Sequence, residues 1–285
     1  MSADVATRVT FEPIKPLIGS VVRTAERADL FDPEVVAQCR DMLDQRAVLV
    51  FPQVNFTNEE QLAFTDLLGG RLNLTSDATT DKQDDVYQVT LDKKINKAPE
   101  YVLGTFFWHL DGMPMDMAPP KATLLSCRKA PDKGGQTEFA STFAAYEQLP
   151  EDEKAELEKL RIVHTVASSL RPIADLIPEA DKGKLAIGVP KERPLVYTRK
   201  SGRKSLIIGS TADTVVGMEV AHGRALIARL NEWAAQPDFS LRHQWREGDF
   251  VIWGNCGALH RALPYDAESG RMMHRTSIAG EEDVS

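Results

Sequence analysis

The sequence predicts a mainly β fold with flanking helices, an antiparallel sandwich rather than a parallel α/β sheet. Two observations lead there. The second half of the chain is a series of short apolar runs separated by turn residues: Leu195–Arg199 and Ser205–Ser210 flank Ser201-Gly202 as a hairpin, and 239–245, 249–254 and 271–278 read as further strands. Few segments show the strict strand-helix alternation of a TIM barrel or Rossmann sheet, and GxGxxG, P-loop, internal-repeat and low-complexity patterns are absent.

The elements follow in order. Residues 33–46 (PEVVAQCRDMLDQR) place apolar side chains at helical spacing behind a capping Asp32, and AVLVF at 47–51 suits a buried strand. Thr57-Asn58-Glu59-Glu60 is a capping box opening a second helix, with Leu62, Phe64 and Leu67 ahead of a Gly69-Gly70 stop. From 71 to 105 the chain turns polar around one strand-like segment at Val86–Leu91, and 168–194 is polar and proline-bearing. The first is expected to be a loop-rich lid or edge, and the second another lid. KATLLSCR at 121–128 reads as a strand, 138–160 as one or two helices broken near Pro150, and 219–236 as an amphipathic helix. Residues 1–285 are expected to form a single domain.

Composition narrows the function. With 34 Lys+Arg against 42 Asp+Glu the formal charge is −8, which excludes a general partner for polyanions such as nucleic acid. A 42% hydrophobic and 27% charged composition is enough to close a sizeable core. The first twenty residues lack the pattern of a signal peptide, and no apolar run approaches a membrane span. A soluble, cytoplasmic protein with no membrane partner is expected. Cys39, Cys127 and Cys256 form no CxxC pair and read as small buried hydrophobes in a reducing compartment.

Chemistry enters with His109-Leu110-Asp111. On a strand, positions two apart share a face, so an imidazole and a carboxylate would reach one metal ion. Alone the pair says little, because six histidines and 42 acidic residues give about one such spacing by chance. Arg271, Met273 and Arg275 alternate, so a strand there turns both arginines the same way, roughly 13 Å apart. If that face is the core, the guanidiniums need internal carboxylates or anionic ligands, since an unpaired buried charge costs several kcal/mol. An outward, salt-bridged strand is the alternative.

Three motifs then occur together and in order: Trp108-His109-Leu110-Asp111, Gly134-Gly135-Gln136-Thr137, and His260 followed by Arg271 eleven and Arg275 fifteen residues later. On these the chain resembles the taurine dioxygenase/TfdA family of Fe(II)- and 2-oxoglutarate-dependent dioxygenases, from about Ala47 onward. Through 134–149, 201–206 and 245–255 it is similar to the branch typified by 2,4-dichlorophenoxyacetate dioxygenase. The resemblance implies a double-stranded β-helix (jelly roll, cupin-like). It implies Fe(II) held by His109, Asp111 and His260 as the catalytic set, two imidazoles and a carboxylate on one face of an octahedron. Arg271 and Thr137 would hold the distal carboxylate of 2-oxoglutarate, and Arg275 would face an anionic primary substrate. The implied reaction consumes O2, decarboxylates 2-oxoglutarate to succinate and CO2, and hydroxylates the substrate. Related halogenases lack the carboxylate ligand, so Asp111 favours hydroxylation.

Departures bear on substrate. Thr105 stands where the taurine enzyme has a substrate-contacting asparagine, and no counterpart of its upstream His and Tyr is found. Met113, Met115 and Met117 alternate and would give a soft apolar wall if they faced the site, or core filler if not. Phe107, like Phe106, could line the pocket or pack beneath Trp108. Thr105, Phe107, Met113 and Arg275 are therefore the candidate substrate contacts. Gly254 replaces an Asp usual in the family's Trp-Asp-Asn, removing a hydrogen bond that could orient His260. His164, His222, His243 and His274 match no catalytic position, and His274 should point away from the ligands. The expected substrate is a small organic anion with an apolar body, aryloxyalkanoates first, with alkyl sulfates, sulfonates or a natural-product carboxylate as alternatives. Hydroxylation beside an ether oxygen gives a hemiacetal that falls apart unaided. A non-catalytic jelly-roll binding protein is the reading from another class, and a zinc hydrolase gives no reason for Arg271 with Thr137. A homo-oligomer is left open.

Overall fold

The computed structural model of the chain describes residues 8–72, 86–96, 99–177, 183 and 188–284. Its strands are β1 (Val9–Pro13), β2 (Ser20–Thr24), β3 (Val48–Phe51), β4 (Tyr87–Val89), β5 (Ala122–Lys129), β6 (Thr137–Ser141), β7 (Arg161–His164), β8 (Lys191–Pro194), β9 (Val196–Thr198), β10 (Lys204–Leu206), β11 (Ala212–Val215), β12 (Ser240–His243), β13 (Phe250–Gly254), β14 (Ala258–Ala262) and β15 (Met272–Ile278). The helices are α1 (Pro33–Arg46), α2 (Asn58–Leu68), α3 (Pro99–Gly104), α4 (Thr142–Glu147), α5 (Glu151–Leu157), α6 (Val166–Leu170) and α7 (Val220–Ala234).

Local chemistry starts the first two helices where expected. The Asp32 carboxylate accepts from the Glu34 N–H ahead of Pro33, and Thr57 and Glu60 close a reciprocal capping box. A seven-stranded sheet ordered β1-β2-β3-β13-β5-β15-β4, antiparallel except for β2 against β3, forms one layer; β12-β6-β14, β11-β7-β8 and the β9-β10 hairpin form the other. Strand β13 shows how period-2 alternation divides the core. Phe250 and Ile252 pack with Val35, Leu43 and Phe64 of α1 and α2, whereas Val251 and Trp253 pack inward with Phe139 and Leu241 of the second layer. The mainly β jelly roll with flanking helices is thus present, and its inner cluster floors the site.

Several expectations need correction. Residues 138–141 are not helical: Thr137–Ser141 alternates as β6, the centre of the second layer, and the helix begins at Thr142. The strand carrying His260, β14, was not expected, because its Ala-Leu-His-Arg-Ala lacks the β-branched run that marked its neighbours. Of the lid at 71–105, residues 73–85 and 97–98 lie outside the described residues. β4 pairs with β15, and Leu103 beyond it packs with Phe107, Val166, Leu170, Ile173 and Ile177. Of the lid at 168–194, residues 178–182 and 184–187 lie outside the described residues, while 166–176 is helical and 191–194 is β8.

Arg193 of β8, 6% exposed, donates to the carbonyls of Met113 (3.3 Å), Met115 (3.0 Å) and Val284 (3.0 Å) and to the Asp283 carboxylate (3.0 Å). It joins the 281–284 segment to the turn that follows Asp111. The three thiols are free, and burial pushes Cys39 and Cys127 up to about 12, which suits packing groups.

His164 is fully buried with Nδ1 2.9 Å from Thr211 Oγ1, and burial, reinforced by the Arg193 charge, pushes it down from 6.5 to about 3. The folded chain holds this imidazole neutral while the unfolded chain protonates it. Its contribution is therefore complete above pH 6.5 and is lost between 6.5 and 3, by up to about 1.4 kcal/mol per pH unit. Urea unfolding of His164→Gln should show a slope of stability against pH in that interval shallower by about one proton than wild type; equal slopes would refute the assignment.

Candidate active site

Strand β14 carries His260, and the chain before Gly112 runs beside it. His109 and His260 form one antiparallel bridge, each N–H donating to the other's carbonyl at 3.0 Å, with ring centroids 4.1 Å apart. The expected strand through 109–111 is not formed. After this bridge the chain turns at Gly112 (φ +79), where a Cβ would lie 2.3 Å from Pro120 Cδ.

The three groups converge. Asp111 Oδ1 lies 3.9 Å from His109 Nε2 and Oδ2 3.6 Å from His260 Nε2, and the side chains are 10, 13 and 7% exposed respectively. Their ligand atoms all lie within 4.8 Å of one another, the one such His/Cys/Asp/Glu group among the described residues. His109 Nδ1 is 2.8 Å from the Phe107 carbonyl and His260 Nδ1 3.4 Å from the Ala258 carbonyl. A carbonyl only accepts, so each Nδ1 is assigned the proton, and each Nε2 lone pair is left for the centre. Burial pushes His109 down and His260 down to about 3. Burial opposes the Asp111 charge, but Arg275, the histidines and the Thr123 hydroxyl outweigh it and hold the carboxyl well below the usual range. Two neutral imidazoles beside one carboxylate is the protonation state a divalent ion requires.

A cavity of about 60 Å³ opens on this group and is lined also by Thr105, Thr137, Trp253, Arg271 and Arg275. The two arginines therefore reach one cavity, although Arg271 precedes β15 and the β15–β5 register shifts between Met272 and Met273, so strand alternation alone does not place it. Arg271 is 3% exposed, its guanidinium lies 4.7 Å over the Tyr265 ring, and its Nε is buried without a partner. Gly135 (φ +69) lets the loop close on it, since a Cβ there would come within 3.1 Å of Arg271 Cδ and Nε. Trp245 Nε1 donates to Thr137 Oγ1 at 2.9 Å, which leaves the Thr137 O–H free to donate into the cavity. Arg275 Nη2 sits 3.1 Å from Asp111 Oδ2, and its Nε is also buried without a partner.

A second cavity of about 240 Å³ shares Thr105, His109 and Asp111 with the first and extends past Tyr101, Pro114, Val166, Leu170, Ser210 and Thr211. Among the candidate substrate contacts, Thr105 lines both cavities. Met113 does not: it is fully buried among Leu110, Leu195 and Ile208, because the turn at Gly112 breaks the alternation that would have built a methionine wall; Met117 is half exposed. Phe107 does not either; its ring packs on Leu170 and Ile173, and only its carbonyl serves the site. His274 points away as expected, toward Asn58 of α2.

Sequence reasoning missed two residues behind the carboxylate. Thr123 Oγ1 donates to Asp111 Oδ2 at 2.7 Å, and Asn255 Nδ2 donates to Thr123 Oγ1 at 2.9 Å. Thr123 stands in an apolar run where it resembles core filler.

Comparison with known proteins gives the family. The family model for taurine catabolism dioxygenase TauD, TfdA family, matches residues 10–277. An alpha-ketoglutarate-dependent 2,4-dichlorophenoxyacetate dioxygenase of Burkholderia sp. (strain RASC) is 34% identical, covering 95% of each chain. A (S)-phenoxypropionate/alpha-ketoglutarate-dioxygenase of Sphingobium herbicidovorans is 33% identical over 94% of each. The crystal structure of AAD-2 in complex with Mn(II) and N-oxalylglycine superposes with a TM-score of 0.81 at 29% identity, covering 97% of this chain and 99% of that one. The chain belongs to the TauD/TfdA family of dioxygenases.

Proposed function

We propose that the protein is an Fe(II)- and 2-oxoglutarate-dependent dioxygenase that hydroxylates an organic anion with an apolar body, aryloxyalkanoates being the first class. One observation carries the reading: a buried His/Asp/His group faces the same cavity as a buried, carboxylate-free Arg271. The donor set fits a divalent ion that keeps open positions, and a buried guanidinium with an unpartnered Nε and no carboxylate partner among the described residues fits a carboxylate. When bound, iron and 2-oxoglutarate supply the oxidising chemistry, one atom of O2 leaving in succinate and the other entering the substrate as hydroxyl.

The remaining work belongs to the chain. His109, Asp111 and His260 hold the metal on one face. Arg271 and the Thr137 hydroxyl take the distal carboxylate of the cosubstrate. Arg275, with Nη2 on Asp111, offers its remaining N–H groups to the anionic head of the substrate. Thr105, Tyr101, Val166 and Leu170 border the second cavity away from Asp111, a largely apolar stretch that suits a ring or alkyl body. Between the two expected lids, Leu103 packs with Leu170, Ile173 and Ile177, beside the Tyr101, Gly104 and Leu170 border of that cavity.

Anaerobic addition of Fe(II) and 2-oxoglutarate should give the visible charge-transfer absorption of the chelate. Succinate release should then be fastest with aryloxyalkanoates in a panel that also holds alkyl sulfates and sulfonates. A protein that forms the chromophore yet turns over no member of the panel would favour the binding-protein reading. At saturating Fe(II), Arg275→Gln should raise KM for the anionic substrate at least about tenfold, the loss of one charge-assisted pair. KM for 2-oxoglutarate should move much less; equal shifts would reverse the roles given to Arg271 and Arg275.

A further inference from the structure

We infer that Thr123, braced by Asn255, is a positioning residue that makes Asp111 a one-oxygen ligand; the inference rests on the metal site proposed above. Thr123 of β5 lies opposite Trp253 in the β5–β13 register and shares the inward face with Leu125 and Cys127. Both Thr123 and Asn255 are fully buried, and Asn255 is held by its own N–H donating to the Lys121 carbonyl at 3.1 Å.

Counting hydrogens settles the direction of each bond. A hydroxyl has one hydrogen. With the Asn255 amide N–H on a lone pair of Thr123 Oγ1, that hydrogen is free for Asp111 Oδ2, 2.7 Å away. The opposite amide orientation would set a carbonyl against Thr123 and leave two acceptors competing for one hydrogen. Arg275 Nη2 reaches the same Asp111 oxygen at 3.1 Å. A carboxylate oxygen has two lone pairs, so Oδ2 is filled by these two donors, while Oδ1, 3.9 Å from His109 Nε2, keeps both of its own. The carboxylate cannot rotate without breaking the chain from Asn255. It therefore meets a metal through Oδ1 alone, which spares one coordination position that a two-oxygen grip would consume.

Anaerobic Fe(II) titration of the apo-protein tests this directly. Thr123→Val keeps volume and β-branching but removes the O–H, and the Fe(II) Kd should rise about 10- to 100-fold, the usual effect of losing a ligand's hydrogen-bond partner. Thr123→Ser should restore a Kd near wild type. A purely structural role would lower the thermal midpoint of Thr123→Val and leave the Kd of its folded fraction at the wild-type value, which would overturn the inference. Should the valine variant not fold, Thr123→Ala makes the same comparison. Failure of the metal site itself reads differently, as wild-type protein that takes up no Fe(II).

Discussion

Asp111→Ala is expected to lose Fe(II) binding by well over about 100-fold, more than the removal of a mere hydrogen-bond partner of a ligand, and turnover with it. The carboxylate is the one anion among the three converging groups, so its loss removes both a bond and the charge that offsets a dication. It also strips Arg275 of its partner at 3.1 Å, leaving a guanidinium facing the metal position with nothing to neutralise it. The variant should thus bind metal more weakly than His109→Ala or His260→Ala, each of which keeps the charge. Equilibrium dialysis against Fe(II) under argon, with the chelate absorption as a second readout, ranks the three. An Asp111→Ala protein that holds iron as well as either histidine variant would contradict the electrostatic argument.

Arg271→Met should raise KM for 2-oxoglutarate by roughly 30- to 1000-fold, the 2–4 kcal/mol typical of breaking a desolvated charge pair. The same substitution should leave the apo-protein as stable as wild type or more so. In the chain as described the guanidinium is 3% exposed, stacks on Tyr265 and has no carboxylate partner among the described residues. Replacing such a charge by an apolar side chain of similar length relieves a desolvation cost of several kcal/mol. Scanning calorimetry of both apo-proteins, with and without 2-oxoglutarate and Mn(II), separates the effects: ligand should stabilise wild type strongly and the variant little. A variant less stable than wild type in the apo form would mean that Arg271 is structural.

What could be read from the sequence, and what could not, follows from range. Asp32, Thr57 and Glu60 act within a turn of their own helices, so α1 and α2 were legible from their caps. Strands β5 and β13 are apolar on both faces because each lies between helices and the inner cluster, and a continuous run marks them. Strand β14 is amphipathic and short, and its strand character depends on pairing with β6, which composition does not reveal. The His109/Asp111/His260 group was legible as a motif, although 109–111 makes a single bridge followed by a turn rather than a strand. The methionine run misled for the same reason, since alternation predicts a common face only while the chain stays extended. Thr123 and Asn255 are 132 positions apart, and nothing local couples them.

Arg193 carries a consequence of another kind. Its guanidinium is buried and satisfied by three carbonyls and one carboxylate, two of these acceptors in the 281–284 segment and two in the turn after Asp111. Peeling that segment away would leave a buried cation with half of its acceptors at a cost of several kcal/mol, so stepwise loosening of 281–284 is suppressed. The segment comes off in one step or stays, and when it leaves, Arg193 keeps only its two carbonyl acceptors in the turn after Asp111.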